Sequence, residues 1–305
     1  MAQKNIVAEK IRNVRVTNDL VREFMAEFLG TFVLILFGNA VVAQVVLSNE
    51  EKGDFFSINW GWGVAVTLGV LVSGGVSGGH INPAVTLALA VIGNTPWKKV
   101  PLYMAAQYLG GFIASGLLYG IYYEALNAFE AENGLDRATP ETAGIFATYP
   151  SPFLSHHSGL LDQVVSTGLL MLLICAICDK KNMGVSKGMA PLYIGFIVLN
   201  IGICFGHNCG YAINPARDLA PRLFTLVAGW GTKPFTIENH WWVVPVIGTH
   251  LGAVLGALMY CFCIENHWKQ SAYELDVIKV VEKIENNELK QDIEVTEKML
   301  TTEDD

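Results

Sequence analysis

Hydrophobic positions along the chain gather into six runs of membrane length, at residues 24–47, about 56–76, 102–123, 160–178, 191–205 and 241–264. The fifth is the shortest and contains Gly202. Two more apolar pieces, 83–92 and 215–228, reach only about halfway across at ~1.5 Å per residue. Both begin alike: residues 80–85 read HINPAV and residues 212–217 read AINPAR. A helix accepts proline best at its first position. Pro83 and Pro215, followed by Ala84 and Ala216, therefore predict two short helices capped by Asn82 and Asn214. Glycines lead into each motif (Gly74, Gly75, Gly78 and Gly79, then Gly202, Gly206 and Gly210). In an apolar chain, such helix starts belong where irregular backbone lines a cavity inside the membrane. The fold class this predicts is an all-α membrane protein with six transmembrane helices and two half-helices.

Composition agrees with that class. Of 305 residues, 52% are hydrophobic and 16% charged, against roughly a quarter charged in a soluble domain. Charge is also segregated. Between 265 and 305, twelve Asp or Glu stand against five Lys, so nearly all of the net −8 belongs to a C-terminal tail. That acidity gives no footprint for nucleic acid. Three regions follow: an N-terminal segment 1–21, a membrane domain 22–264 and the acidic tail 265–305, where Leu275, Ile278, Val281 and Ile284 allow a short amphipathic helix. The first twenty residues hold no continuous apolar core, so a cleaved signal peptide is not expected. Basic residues sit before run one (Arg15, Arg22), between runs two and three (Lys98, Lys99) and between runs four and five (Lys180, Lys181, Lys187), while the alternate connections are acidic. Positive-inside bias puts both termini in the cytoplasm and the long connection 124–159 outside. Trp60, Trp62, Trp97, Trp230, Trp241 and Trp242 fall near run ends, where interfacial anchoring is the ordinary role.

The two halves repeat. Glu27-Phe-Leu-Gly-Thr31 aligns with Gln163-Val-Val-Ser-Thr167, and the two Asn-Pro-Ala elements follow in register, 132 residues apart. The first repeat covers about 22–126 and the second about 160–264. Three spans separate the halves, so the second enters from the opposite face, and the special elements of an inverted repeat meet near the midplane.

These residues carry a resemblance. The stretch AEFLGT (26–31), SGGHINPAV (77–85), GIFATYP (144–150) and GYAINPARDLAPRLFTLVAGWG (210–231) is similar to the aquaporin, or major intrinsic protein, family, and more narrowly to its aquaglyceroporins. The resemblance covers essentially 22–264 and implies one pore in each subunit of a homotetramer, in a plasma membrane. It implies a passive channel for glycerol, other small uncharged solutes such as urea, and water. The narrowest ring would be Trp62, Gly202, Tyr211 and Arg217. Water-selective relatives place histidine where Gly202 stands, so a missing side chain there implies a wider ring, with Trp62 and Tyr211 as an aromatic corner for a carbon backbone. Asp218 after Arg217 is also what glycerol-conducting members carry.

The side chains themselves suggest roles. Asn82 and Asn214 would offer amide donors to a passing hydroxyl, while two positive helix ends oppose a cation. An arginine inside a membrane costs about 2.5–3.5 kcal/mol on insertion scales, so Arg217 requires carbonyl partners and a wet cavity. There it would repel cations and donate in a fork to a polyol. Glu27 and Gln163 at equivalent repeat positions, with His80, read as braces for the bent loops. The six cysteines, all in apolar stretches, read as buried thiols, with Cys209 also within reach of a mercurial from the outer vestibule. Rows Gly116/Gly120 and Gly248/Gly252/Gly256 predict close helix approach. Nothing resembles a nucleophile–base pair, metal cluster or phosphate loop, so neither an enzyme nor a cofactor is expected. A predominantly water-selective channel is the alternative, and a secondary transporter a more distant one, because the only acid placed well inside a run is Glu27.

Overall fold

A computed structural model of the protein describes residues 14–269, so the tail helix expected near Leu275–Ile284 lies outside the described residues. Eight helices organise it: α1 Asp19–Leu47, α2 Phe55–Ser77, α3 Pro83–Val91, α4 Val100–Asn133, α5 His156–Cys178, α6 Ala190–Cys209, α7 Pro215–Val227 and α8 Val243–Cys263. Six are long and apolar enough to cross a membrane. The other two, α3 and α7, have 9 and 13 residues, about 13 and 20 Å against a hydrocarbon layer of about 30 Å.

Local chemistry sets the helix ends. Asn18 accepts from the Leu20 and Val21 amides to open α1, and Asp54 and Ser57 form a capping box at α2. The helix before each half-helix stops at a left-handed glycine, Gly78 (φ 94°) and Gly210 (φ 71°). That conformation suits a residue without Cβ and turns the chain sharply toward the next cap.

The repeat is visible in packing. In the first half a Cβ on Gly110 of α4 would lie 2.4 Å from the Phe28 carbonyl oxygen of α1; in the second, a Cβ on Gly252 of α8 would lie 2.4 Å from the Val164 oxygen of α5. Phe28 and Val164 occupy equivalent positions, each one residue past Glu27 and Gln163. The same glycine-mediated crossing therefore occurs twice. The halves meet where α2 packs on α6, and α4 carries α7 on its flank.

Four expectations change. First, α4 runs 34 residues to Asn133, so the first ten residues of the expected connection 124–159 are helix, as are its last four. The segment EALNAFEAEN favours helix by propensity although hydropathy marks it as non-membrane, and Leu126 and Phe129 are buried in it. Second, Gly120 faces open space, whereas Gly248, Gly252 and Gly256 all press on α5. Third, Trp60 and Trp97 are exposed as anchors should be, but Trp230 and Trp241 are 1% exposed and Trp62 is 3% exposed. Fourth, of the six cysteines only Cys175 and Cys209 are buried.

Gly252→Leu should therefore lower the stability of the detergent-solubilised protein by about 1–3 kcal/mol, the usual cost of overpacking. Gly120→Leu should leave the stability nearly unchanged, and thermal unfolding followed by size-exclusion chromatography compares the two.

Candidate pore and its narrowest ring

The two half-helix caps are tied to each other. Asn82 accepts from the Ala84 amide at 2.9 Å and donates through Nδ2 to the Ile213 carbonyl at 2.9 Å. Asn214 accepts from the Ala216 and Arg217 amides at 3.0 and 3.2 Å, and its Nδ2 donates to the Ile81 carbonyl at 2.8 Å. Each asparagine thus caps its own half-helix and holds the loop of the other. One N–H of each amide is committed across the repeat, a bond between distant loops that no local pattern in the sequence carries. An amide nitrogen carries two, leaving one for the cavity that both residues line. The crossed bonds also bring the N-termini of α3 and α7 tip to tip, with their partial positive charges facing one region.

The isoleucines between cap and brace are strained in matching fashion. Ile81 has φ 44° and Ile213 φ 42°, a region that β-branched residues rarely enter. Hydrogen bonds fix their peptides on both sides. The Glu27 carboxyl accepts from the Ile81 amide at 2.7 Å and the His80 amide at 2.9 Å. It also takes the Ser77 hydroxyl at 2.5 Å and Gln107 Nε2 at 2.7 Å. Gln163 Oε1 accepts from the Ile213 amide at 3.2 Å, and its Nε2 donates to the Cys209 thiol at 3.1 Å. His80 adds a ring contact to the Thr86 hydroxyl at 3.1 Å, and Thr86 donates to the Asn82 carbonyl. Cys209 is 1% exposed and lies in a network with Gln163 and Asp162, behind the loop. It is not presented to a vestibule. Asp162 and its partner Asn208 at 2.8 Å were not singled out from sequence.

A cavity of about 250 Å³ runs past these groups, walled by aliphatic side chains such as Val66, Val85, Leu170 and Val198 and by Trp62, Tyr211 and Arg217. Arg217 lies in the first turn of α7 and is 7% exposed. Its guanidinium carbon sits 4.2 Å from the centre of the Trp62 ring, within cation–π distance. Its Nη1 donates to the Phe146 carbonyl at 3.3 Å. The remaining guanidinium N–H groups have no hydrogen-bond acceptor among the described residues. Tyr211 (φ 37°) turns its phenol onto Asn59 Oδ1 at 2.6 Å.

Gly202 does not line the cavity, as a place in the narrowest ring would require. A Cβ there would lie 2.5 Å from Asn59 Oδ1 and 2.7 Å from Tyr211 Cζ. The volume left by the missing side chain is filled by the Tyr211–Asn59 pair, and Gly202 stands behind that ring instead of on the cavity wall. A sequence shows which side chain is absent, not which neighbour moves into its place. Asn59, one turn before Gly63 on α2, gave no signal of its own.

A second buried cluster fixes the loop that reaches Arg217. Asp218 accepts from the Thr148 amide at 2.7 Å and hydroxyl at 2.6 Å, and from Arg222 at 2.9 and 3.1 Å. Arg222, fully buried, also donates to the Pro234 and Thr148 carbonyls at 2.7 and 2.6 Å beneath the Tyr149 ring. Every arm of Arg222 is bound, so its charge is structural. Its one signal in the sequence is an Asp–Arg pair four apart in an apolar half-helix.

The family model described as major intrinsic protein matches residues 14–260. An aquaporin-10 of Milnesium tardigradum is 50% identical over 281 residues, covering 88% of this chain and 69% of that protein. Mouse (Mus musculus) aquaporin-9 is 44% identical over 288 residues, 94% of this chain and 96% of that protein. Among solved structures, the aquaglyceroporin from Plasmodium falciparum superposes with a TM-score of 0.73 at 34% identity, over 80% of this chain and 97% of that one. With two half-helices joined at their tips inside six spanning helices, this multi-pass membrane channel, which is not an enzyme, belongs to the major intrinsic protein family.

Proposed function

We propose that the channel conducts glycerol together with water, and small uncharged solutes such as urea, through the ring of Trp62, Tyr211 and Arg217, with Gly202 giving room for the Tyr211 ring. One observation carries the reading: a guanidinium with unspent donors 4.2 Å from an indole face, beside a phenol, in a cavity walled mainly by aliphatic side chains, with Asn82, Asn214 and His80 along it. A polyol has hydroxyls along one edge and C–H groups along the other. The hydroxyls match Arg217, and the carbon edge matches Trp62 and Tyr211. Farther along, the second N–H of Asn82 and of Asn214 takes the hydroxyl handed on. Cations meet Arg217 and two positive helix ends at once. Four copies in a plasma membrane, with both termini cytoplasmic, complete the proposal, supported by the basic residues Arg22, Lys98, Lys99 and Lys187 on one set of connections.

A predominantly water-selective channel is the second reading. It is favoured by the filling of the Gly202 position by Tyr211 and Asn59, which narrows the ring that the glycine would otherwise open.

Stopped-flow light scattering on proteoliposomes separates the two. Gly202→His would drive a side chain into the Tyr211–Asn59 pair. Glycerol permeability should fall about tenfold or more, the lower end of what one pocket group contributes, while water permeability falls far less. Equal losses would favour the second reading. Arg217→Val should raise proton and cation leak by about tenfold or more, since a charge at 4 Å contributes a few kcal/mol at an intermediate dielectric. A pH-sensitive dye inside the vesicles measures this, and an unchanged leak would remove Arg217 from ion exclusion.

A further inference from the structure

Arg137, on the connection after α4, sits in a cage for which the pore itself gives no reason. Its Nε donates to Glu130 at 2.9 Å, its Nη2 to Glu130 at 3.0 Å and to Asn127, and its Nη1 to the Tyr119 hydroxyl at 2.6 Å. Three rings enclose the guanidinium, with centres at 5.6 Å for Tyr119, 5.8 Å for Tyr123 and 5.4 Å for Trp230. The acceptors and the rings Tyr119 and Tyr123 come from α4, and Trp230 comes from the turn after α7. A guanidinium held edge and face has one place to stand.

From this cage a short path leads to the ring. The Arg137 carbonyl accepts from the Thr142 hydroxyl at 2.6 Å, and the same hydroxyl accepts from Trp230 Nε1 at 3.1 Å. The Trp230 indole packs edge-on against Phe146 with centres 5.3 Å apart. The Phe146 carbonyl is the acceptor that holds Arg217. On the other side, Asp218 and Arg222 grip Thr148, two residues further along. Phe146 is thus held between two anchors, one at Thr148 and one at Trp230. Fixing both ends of a short segment fixes the carbonyl between them.

We propose that Arg137 is a positioning residue for solute selection: through Thr142 and Trp230 it sets where the Phe146 carbonyl stands, and so how Arg217 presents its remaining donors. The inference rests on the reading of Arg217 as a ring residue. With the cage broken, the carbonyl drifts, Arg217 swings, and the ring discriminates less by solute size.

The test uses the full-length chain reconstituted in liposomes, comparing erythritol with glycerol permeability so that differences in protein amount cancel. Arg137→Ala and Thr142→Val should each raise the erythritol-to-glycerol ratio by about threefold or more, within the range known for residues that act through neighbours. Arg137→Lys, which keeps charge and stacking but not the fork, should fall between wild type and Ala. Since both residues act through Trp230, the double variant should show no more than the larger single effect. A ratio within about 1.5-fold of wild type in both single variants, or a lower ratio, overturns the proposal even where thermal stability drops. Additive effects in the double variant overturn the shared path. If Arg137→Ala does not insert, Arg137→Lys and the near-isosteric Thr142→Val decide alone. Wild-type protein that moves no glycerol would instead refute the ring reading beneath the proposal.

Discussion

Two hydrogen bonds between the halves of the chain hold the pore together: Asn82 to the Ile213 carbonyl and Asn214 to the Ile81 carbonyl. Neither half-helix spans a membrane, and each is entered through an isoleucine in a backbone region that costs on the order of 1–3 kcal/mol. Alone, such a loop would relax. Here the strained peptide is held from behind by Glu27 or Gln163 and from in front by the opposite asparagine. The arrangement works because the repeat is inverted, which lets identical parts face each other and exchange the same bond. The tip-to-tip approach of two positive helix ends comes with that geometry, and it serves a path for uncharged molecules.

Saturation separates structural charges from functional ones. Glu27 takes four donors, and Arg222 spends its donors on Asp218, Thr148 and Pro234 while its face lies under Tyr149. Buried charge is tolerated when its hydrogen bonds are complete, and removing one partner costs about 3–5 kcal/mol. Arg217 is also buried, at 7% exposure, yet has one carbonyl and one aromatic face. An incompletely satisfied guanidinium beside a cavity is poised for a solute oxygen. The surrounding charges, by contrast, fix loops.

Much of this was legible in the sequence because it rests on local rules. Proline after asparagine twice, each some fifty residues past Glu27 or Gln163, gives both half-helices and their caps. The six spans follow from hydropathy, and the Gly248–Gly252–Gly256 row from small-residue packing. What stayed hidden depends on distant partners. Arg222 reads as one more basic residue until Thr148 and Pro234 come alongside, and no periodicity connects residues 74 apart. The committed N–H of each asparagine needs both loops in place. Gly202 shows a missing side chain, but only the fold shows Tyr211 moving into the gap. Trp230 and Trp241 look like interfacial anchors by position, and burial turns them into packing elements. The far end of α4 escapes hydropathy because its last turns are polar helix formers.

Wild-type protein in liposomes and in planar bilayers gives the most direct measurement of the central claim. Glycerol flux should stand well above that of protein-free vesicles and stay unsaturated with concentration, with ionic conductance no higher than the bare bilayer. Readily conducted salt with glycerol excluded would contradict it.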